Sequence, residues 1–321
     1  MLNALRTVFL SFLVAVANSA LAACPPAPEK PTEAAIQSAM RSASDHGYLW
    51  RISKDGRTSY LYGTIHVGKF EWIYPGPKVT AALRETDTIA LELDMMDPEV
   101  RKRTNKEMAS LHGNALPGPL EKRMRKQAES LCVPYEKLAG VPPEMQVAVL
   151  SIMVGRWEGL DASYGIDVFL AALGHQANKN MVSLETPEFQ VQALLMHTPQ
   201  ETAAIVEASL DEMESSRSRK MLKRLADAWD RGNYAEMEHY EDWCDCLKTD
   251  VDRTMMKRML DERNPAMAER IDALHHGGKQ VFAAVGSMHM FGPMGLAALM
   301  EKRGYKVERV EFGTAQAGAK Q

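Results

Sequence analysis

Two kinds of pattern alternate along this chain. Short apolar runs of strand length fall at 48–53, 58–65, 88–94, 180–185, 280–285 and 305–312. Helical periodicity fills 77–85, most of 98–176, 199–276 and 295–303. The first two runs flank Lys54-Asp55-Gly56-Arg57, where the Asp-Gly pair predicts a tight hairpin turn. Breaks in the helical stretch are expected at Gly113, Pro117 and Pro142-Pro143, and Thr186-Pro187 has the form of a cap followed by a first-turn proline. Strands alternating with helices in the first and last thirds predict an α/β sheet, with the helical middle (roughly 98–176 and 199–276) as a large insertion packed on it. The organisation expected is one domain over 46–313, preceded by a proline-rich arm and first helix at 24–45 and followed by a disordered tail at 314–321.

Two of the apolar runs end alike. Gly63-Thr-Ile-His66 and Gly286-Ser-Met-His289 each place a histidine three residues beyond a glycine at the end of a strand. A strand delivers such a side chain rigidly, and the glycine is expected to let the backbone turn so that the imidazole faces a cleft. Glu92, within Ile89-Ala-Leu-Glu-Leu-Asp94, and Glu185 share this strand-end placement. Singly, each has a plainer reading: Glu92 as the outward residue of an alternating strand, Glu185 as a helix-initiating charge, either histidine as a hydrogen-bonded structural group. As a set, two imidazoles and a carboxylate (His66, His289 and Glu92) are the ligand chemistry of a zinc, manganese or cobalt ion, and Glu185 is then a candidate base. Arg263 is a candidate for stabilising an oxyanion or for pairing with Glu185, and Asp167 for orienting a neighbour or capping a helix. The chain contains neither Gly-x-Ser-x-Gly nor His-Glu-x-x-His.

The formal charge is −4, and it becomes −5 without residues 1–23, whose one charged side chain is Arg6. Such a chain has no general attraction for nucleic acid. Arg6, the apolar stretch from Val8 to Val16 and the small residues before Cys24 read as an export signal too short to span a bilayer, and no later run is long enough to do so. A periplasmic or secreted protein is expected. Leu21-Ala-Ala-Cys24 also resembles a lipobox, which would make it an outer-membrane lipoprotein anchored at Cys24. The even cysteine set Cys24, Cys132, Cys244 and Cys246 favours two disulfides instead. Cys244 and Cys246 are too close to pair comfortably, so each is expected to join Cys24 or Cys132, in either order.

The segment from Ser59 to Gly68, followed by Leu91-Glu-Leu-Asp94 and Val285-Gly-Ser-Met-His289, resembles the TraB/GumN family, which includes the Tiki-type metalloproteases. Tyr164-Gly-Ile-Asp167, Ser183-Leu-Glu-Thr186, Arg263-Asn264 and Arg303-Gly-Tyr-Lys-Val-Glu-Arg309 extend the likeness from about residue 48 to 310. The resemblance implies a central mixed sheet flanked by helices, similar to erythromycin esterase and the haem-binding ChaN proteins. It also implies a site built on His66, Glu92 and His289, with Glu185 and Arg263 at further motif positions. Ser287-Met288 and Met290-Phe291 depart from the Ala-Leu and Leu-Pro common in relatives and alter the adjacent pocket. The function expected is a metal-dependent, peptidase-like hydrolase using manganese, cobalt or zinc on a peptide or small amide or ester. The alternative is a non-catalytic haem-, metal- or peptide-binding protein.

Overall fold

The computed structural model describes residues 24–244 and 247–312. The expected export signal at 1–23, Cys246 and the tail at 314–321 lie outside the described residues. The protein is α/β, with six strands in one mixed sheet of order β4-β3-β5-β2-β1-β6. The strands are β1 (Tyr48–Lys54), β2 (Arg57–Thr64), β3 (Thr88–Leu91), β4 (Asn180–Ser183), β5 (Val281–Gly286) and β6 (Lys306–Arg309).

Local sequence explains most boundaries. Asp55 and Gly56 both have positive φ, 52° and 74°, as a two-residue turn matching the twist of β1 and β2 requires. Prolines occupy the first turns of the helices Pro77–Glu85, Pro98–Ser110, Pro143–Met153, Pro187–Ala193 and Pro199–Glu214, where a missing N–H costs nothing. Thr186 caps its helix as expected, its hydroxyl accepting from the Phe189 N–H.

β1 runs antiparallel to β2 and β6, whereas β2, β5, β3 and β4 are mutually parallel. Every residue of β5 is buried, because helices cover both faces of a parallel sheet. The helix Pro77–Glu85 contributes Val79, Ala82 and Leu83 to this core, and Asn264–His276 contributes Met267, Ala268 and Ile271. A second, smaller core lies within the helical insertion, around Leu120, Met124, Leu150 and Leu210. No helix among the described residues is long and apolar enough to cross a membrane.

The cysteine pairing corrects the expectation. Cys24 is bonded to Cys132, with Cα atoms 5.6 Å apart, so neither cysteine joins the Cys-Asp-Cys segment. The helix Gly118–Ser130 ends just before Cys132, whose φ of 55° turns the chain back. There it meets the N-terminal arm, a proximity that sequence spacing cannot reveal.

Candidate active site

The four parallel strands end on one rim, and each delivers a candidate residue there. His66 follows β2, Glu92 follows β3, Glu185 follows β4 and His289 follows β5. Ligands of open α/β sheets bind outside this carboxyl edge. The sheet order interleaves distant segments, so β5 lies between β3 and β2 and brings residue 289 beside residues 66 and 92.

The two Gly-x-x-His elements are stitched together. Thr64 and Gly286 are register partners on adjacent parallel strands, and Ser287 Oγ donates to the Thr64 carbonyl at 2.6 Å. The loop carrying His66 is clamped from the other side: Gly68 and Asp161 exchange backbone bonds, and the Ile166 N–H donates to the Ile65 carbonyl. The glycines act differently from expectation. Gly286 has φ −50° and ψ 137°, open to most residues, so its role is space. A Cβ there would stand 3.0 Å from His66 Nε2 and 3.3 Å from Glu92 Oε1, inside the site.

Both imidazoles aim Nε2 at the same oxygen. His66 Nε2 and His289 Nε2 each lie 3.9 Å from Glu92 Oε1. The opposite ring nitrogens are held: His66 Nδ1 contacts Asp167 Oδ2 at 2.7 Å, and His289 Nδ1 contacts Asn264 Oδ1 at 2.6 Å. Since both partners are acceptors, Nδ1 carries the proton in each ring. His289, buried and paired with a neutral amide, therefore presents a bare Nε2 lone pair to the cleft. Asp167 is fixed in turn by the Thr64 hydroxyl at 2.5 Å, and the Asn264 amide nitrogen by the Met294 carbonyl at 2.8 Å.

The carboxylates are bound by one guanidinium. Arg263 Nη2 donates to Glu92 Oε2 at 2.7 Å and to Glu185 Oε2 at 2.5 Å, while its Nε donates to Glu185 Oε1 at 2.8 Å. Gln190 Nε2 bridges the same two carboxylates, and the Gly286 N–H donates to Glu92 Oε1. Arg263 itself follows a π-helical turn, Lys257–Asp261, and its Nη1 donates back to the Met259 carbonyl. Such turns recur beside functional sites because they re-aim one side chain.

These contacts separate the protonation states. Burial opposes ionisation of Glu92, but the flanking His66, His289 and Arg263 and the Gly286 N–H overcome it and hold the carboxyl down at about 2. The Asp167 carboxylate, aided by Glu92, raises His66 to about 9. Burial lowers His289 to about 4. His66 is open to solvent, with its side chain 61% exposed, while that of His289 is 5% exposed.

The chain matches the model of the TraB/PrgY/gumN family over residues 48–309, most of its length. It belongs to that family. No curated protein and no solved structure showed significant similarity to it. In this TraB/PrgY/gumN protein all five expected residues, His66, Glu92, Glu185, Arg263 and His289, meet at one place. Asp167 orients His66 and is not the helix cap, which falls on Gly165. Gln190 was not singled out by the sequence, and Asn264 entered only as part of the Arg263-Asn264 motif, with no role assigned. The available signal for Asn264 was a polar residue adjoining Arg263 at the start of a helix whose apolar face is buried.

The donor set suits a divalent cation in its chemistry. Each histidine has its far nitrogen on an oxygen acceptor, the arrangement that fixes metal-binding imidazoles. Among the described residues, no group of three or more His, Cys, Asp or Glu stands closed at metal-holding spacing. The 3.9 Å separations exceed the roughly 3.0–3.4 Å between neighbouring ligands on an ion with bonds of about 2.1 Å. Closing both gaps takes a few tenths of an ångström from each of the three side chains.

Proposed function

We propose that this protein is an exported, metal-dependent hydrolase acting on a peptide bond or a related amide or ester. What supports the reading is the convergence of two Nε2 atoms on Glu92 Oε1, each imidazole locked by an acceptor at Nδ1. His66, His289 and Glu92 would hold the cation, which supplies Lewis acidity when bound. Asn264 keeps neutral His289 in the binding tautomer, while Asp167 holds His66 Nδ1, so that binding a cation there would displace the His66 Nε2 proton. Arg263 and the Gly286 N–H grip Glu92 at its two oxygens and fix its direction.

Arg263 pairs with Glu185, one of the two roles the sequence offered for it, and Glu185, expected as a candidate base, is read here as its partner. Both oxygens of Glu185 accept from Arg263, and its side chain is 1% exposed, so it sits buried against the guanidinium. Arg263 has its three nitrogens engaged by Glu92, Glu185 and Met259, so its charge is already answered. The pair is a positioning device for Glu92. The Cys24–Cys132 bond supports export without lipidation, because a thioether and a disulfide compete for one sulfur.

The test is elemental analysis of protein purified from an oxidising compartment, followed by assays on peptides and esters with manganese, cobalt or zinc. His66→Ala and His289→Ala are expected to stay folded and lose both metal and turnover. Stoichiometric metal in either folded variant overturns the ligand assignment. A Soret band on haem titration, without turnover, would instead support the binding-protein alternative.

A further inference from the structure

A cavity of about 400 Å³ opens beside the His66–Glu92–His289 cluster. His66, Arg263, Gly286 and His289 line its polar end. Away from them the wall is apolar, formed by Leu222, Leu225, Met237, Met256, Met259 and Met288 among others. Its size falls within the range of small-molecule sites.

The polar side chains in that wall are already committed. Thr64 Oγ1 donates to Asp167, Ser287 Oγ to the Thr64 carbonyl and Trp229 Nε1 to the Gly63 carbonyl. Arg263 gives four of its five N–H donors to Glu92, Glu185 and Met259, and its charge is balanced by the two carboxylates. The Tyr48 hydroxyl, also at the wall, has no partner among the described residues, but it is buried and too enclosed to solvate a charge. A charged or amide substituent entering the chamber would lose its water and, among the described residues of the apolar wall, find little in exchange. An aliphatic or aromatic group would lose nothing, and the four methionines supply a lining that re-packs around different shapes.

Resting on the hydrolase reading, we infer that this chamber is the specificity pocket: the substrate carries a bulky uncharged apolar group, of the leucine, methionine or phenylalanine kind, next to the bond that is cut. The pocket selects for apolar length and breadth, and it selects against charge.

The experiment uses the full chain and the series N-acetyl-X-glycinamide, where X is glycine, alanine, norvaline, norleucine, leucine, phenylalanine, aspartate or lysine. Binding of the matching N-acetyl-X-amides is measured by calorimetry and hydrolysis by amine release with added metal. Each further methylene from alanine to norleucine is expected to raise affinity and kcat/KM roughly three- to fourfold, with aspartate and lysine at or below glycine. Graded binding without hydrolysis of any member would sustain the pocket and overturn the hydrolase. Hydrolysis indifferent to X would overturn the pocket and sustain the hydrolase, and binding flat across the series overturns the pocket whatever the turnover. Leu225→Arg and the milder Met256→Gln are each expected to flatten the gradient, the second serving if the first does not fold. A gradient unchanged in a folded variant places the apolar group elsewhere.

Discussion

Asn264 Oδ1 accepts the Nδ1 proton of His289 at 2.6 Å, and this bond decides which nitrogen the buried imidazole shows to the cleft. In solution a neutral imidazole samples both tautomers. Here the amide, itself held by the Met294 carbonyl, admits one. Nuclear magnetic resonance of ring nitrogens is expected to find His289 neutral and Nδ1-protonated down to about pH 4. Asn264→Asp places a carboxylate at Nδ1 and is expected to raise the His289 pKa. An unchanged titration in that variant would show that the bond does not form.

Gly286 is the second point of leverage. Its missing Cβ leaves room between His66 Nε2 and Glu92 Oε1. Since φ at this position suits other residues, Gly286→Ala is expected to keep the fold while lowering metal affinity and turnover by roughly 10–100-fold, the range seen when support of a metal site is disturbed. Thermal melting compared with metal titration separates the two effects.

Arg263 balances two buried carboxylates, Glu92 and Glu185. Removing one partner of a buried pair leaves charge without compensation, so Arg263→Leu should destabilise by about 3–5 kcal/mol. Urea unfolding at neutral pH measures the loss. Glu185→Gln keeps the shape and some of the hydrogen bonding, and a smaller loss is expected.

The two histidines bend stability with pH in opposite senses. His289 falls from 6.5 in the unfolded chain to about 4. Between those values the unfolded state binds the extra proton, so its contribution is complete above 6.5 and is lost as pH falls through 4. Glu92 adds a further acid loss as pH drops from 4.5 to about 2. His66 rises from 6.5 to about 9, so its contribution is complete below 6.5 and fades as pH climbs through 9. Unfolding free energies measured across pH should show the acid slope between 6.5 and 4 shrink in His289→Phe and the alkaline slope shrink in His66→Gln.

The disulfide closes a separation of 108 residues. Replacing Cys24 and Cys132 together with serine is expected to cost about 2–4 kcal/mol. Peptide mapping without reduction should recover the Cys24–Cys132 linkage, and a lipidated Cys24 would contradict it.

Much of this protein was legible from neighbouring residues alone. Asp55-Gly56 makes its turn, the helix-starting prolines sit in first turns and Thr186 caps its helix, because these depend on backbone dihedrals and hydrogen bonds within a few positions. The family motifs marked His66, Glu92, Glu185, Arg263 and His289, and the period of apolar residues indicated an α/β class. The tertiary structure decided what those residues do to one another. Only the crossing of β5 between β3 and β2 sets His289 opposite His66, and only that arrangement ties Arg263 to both glutamates, Asn264 to His289 and Asp167 to His66. The same holds for Cys24 and Cys132, and for the apolar chamber. Local preference acts over a turn of chain, while these contacts come from strand order and helix packing, which no short window of residues encodes.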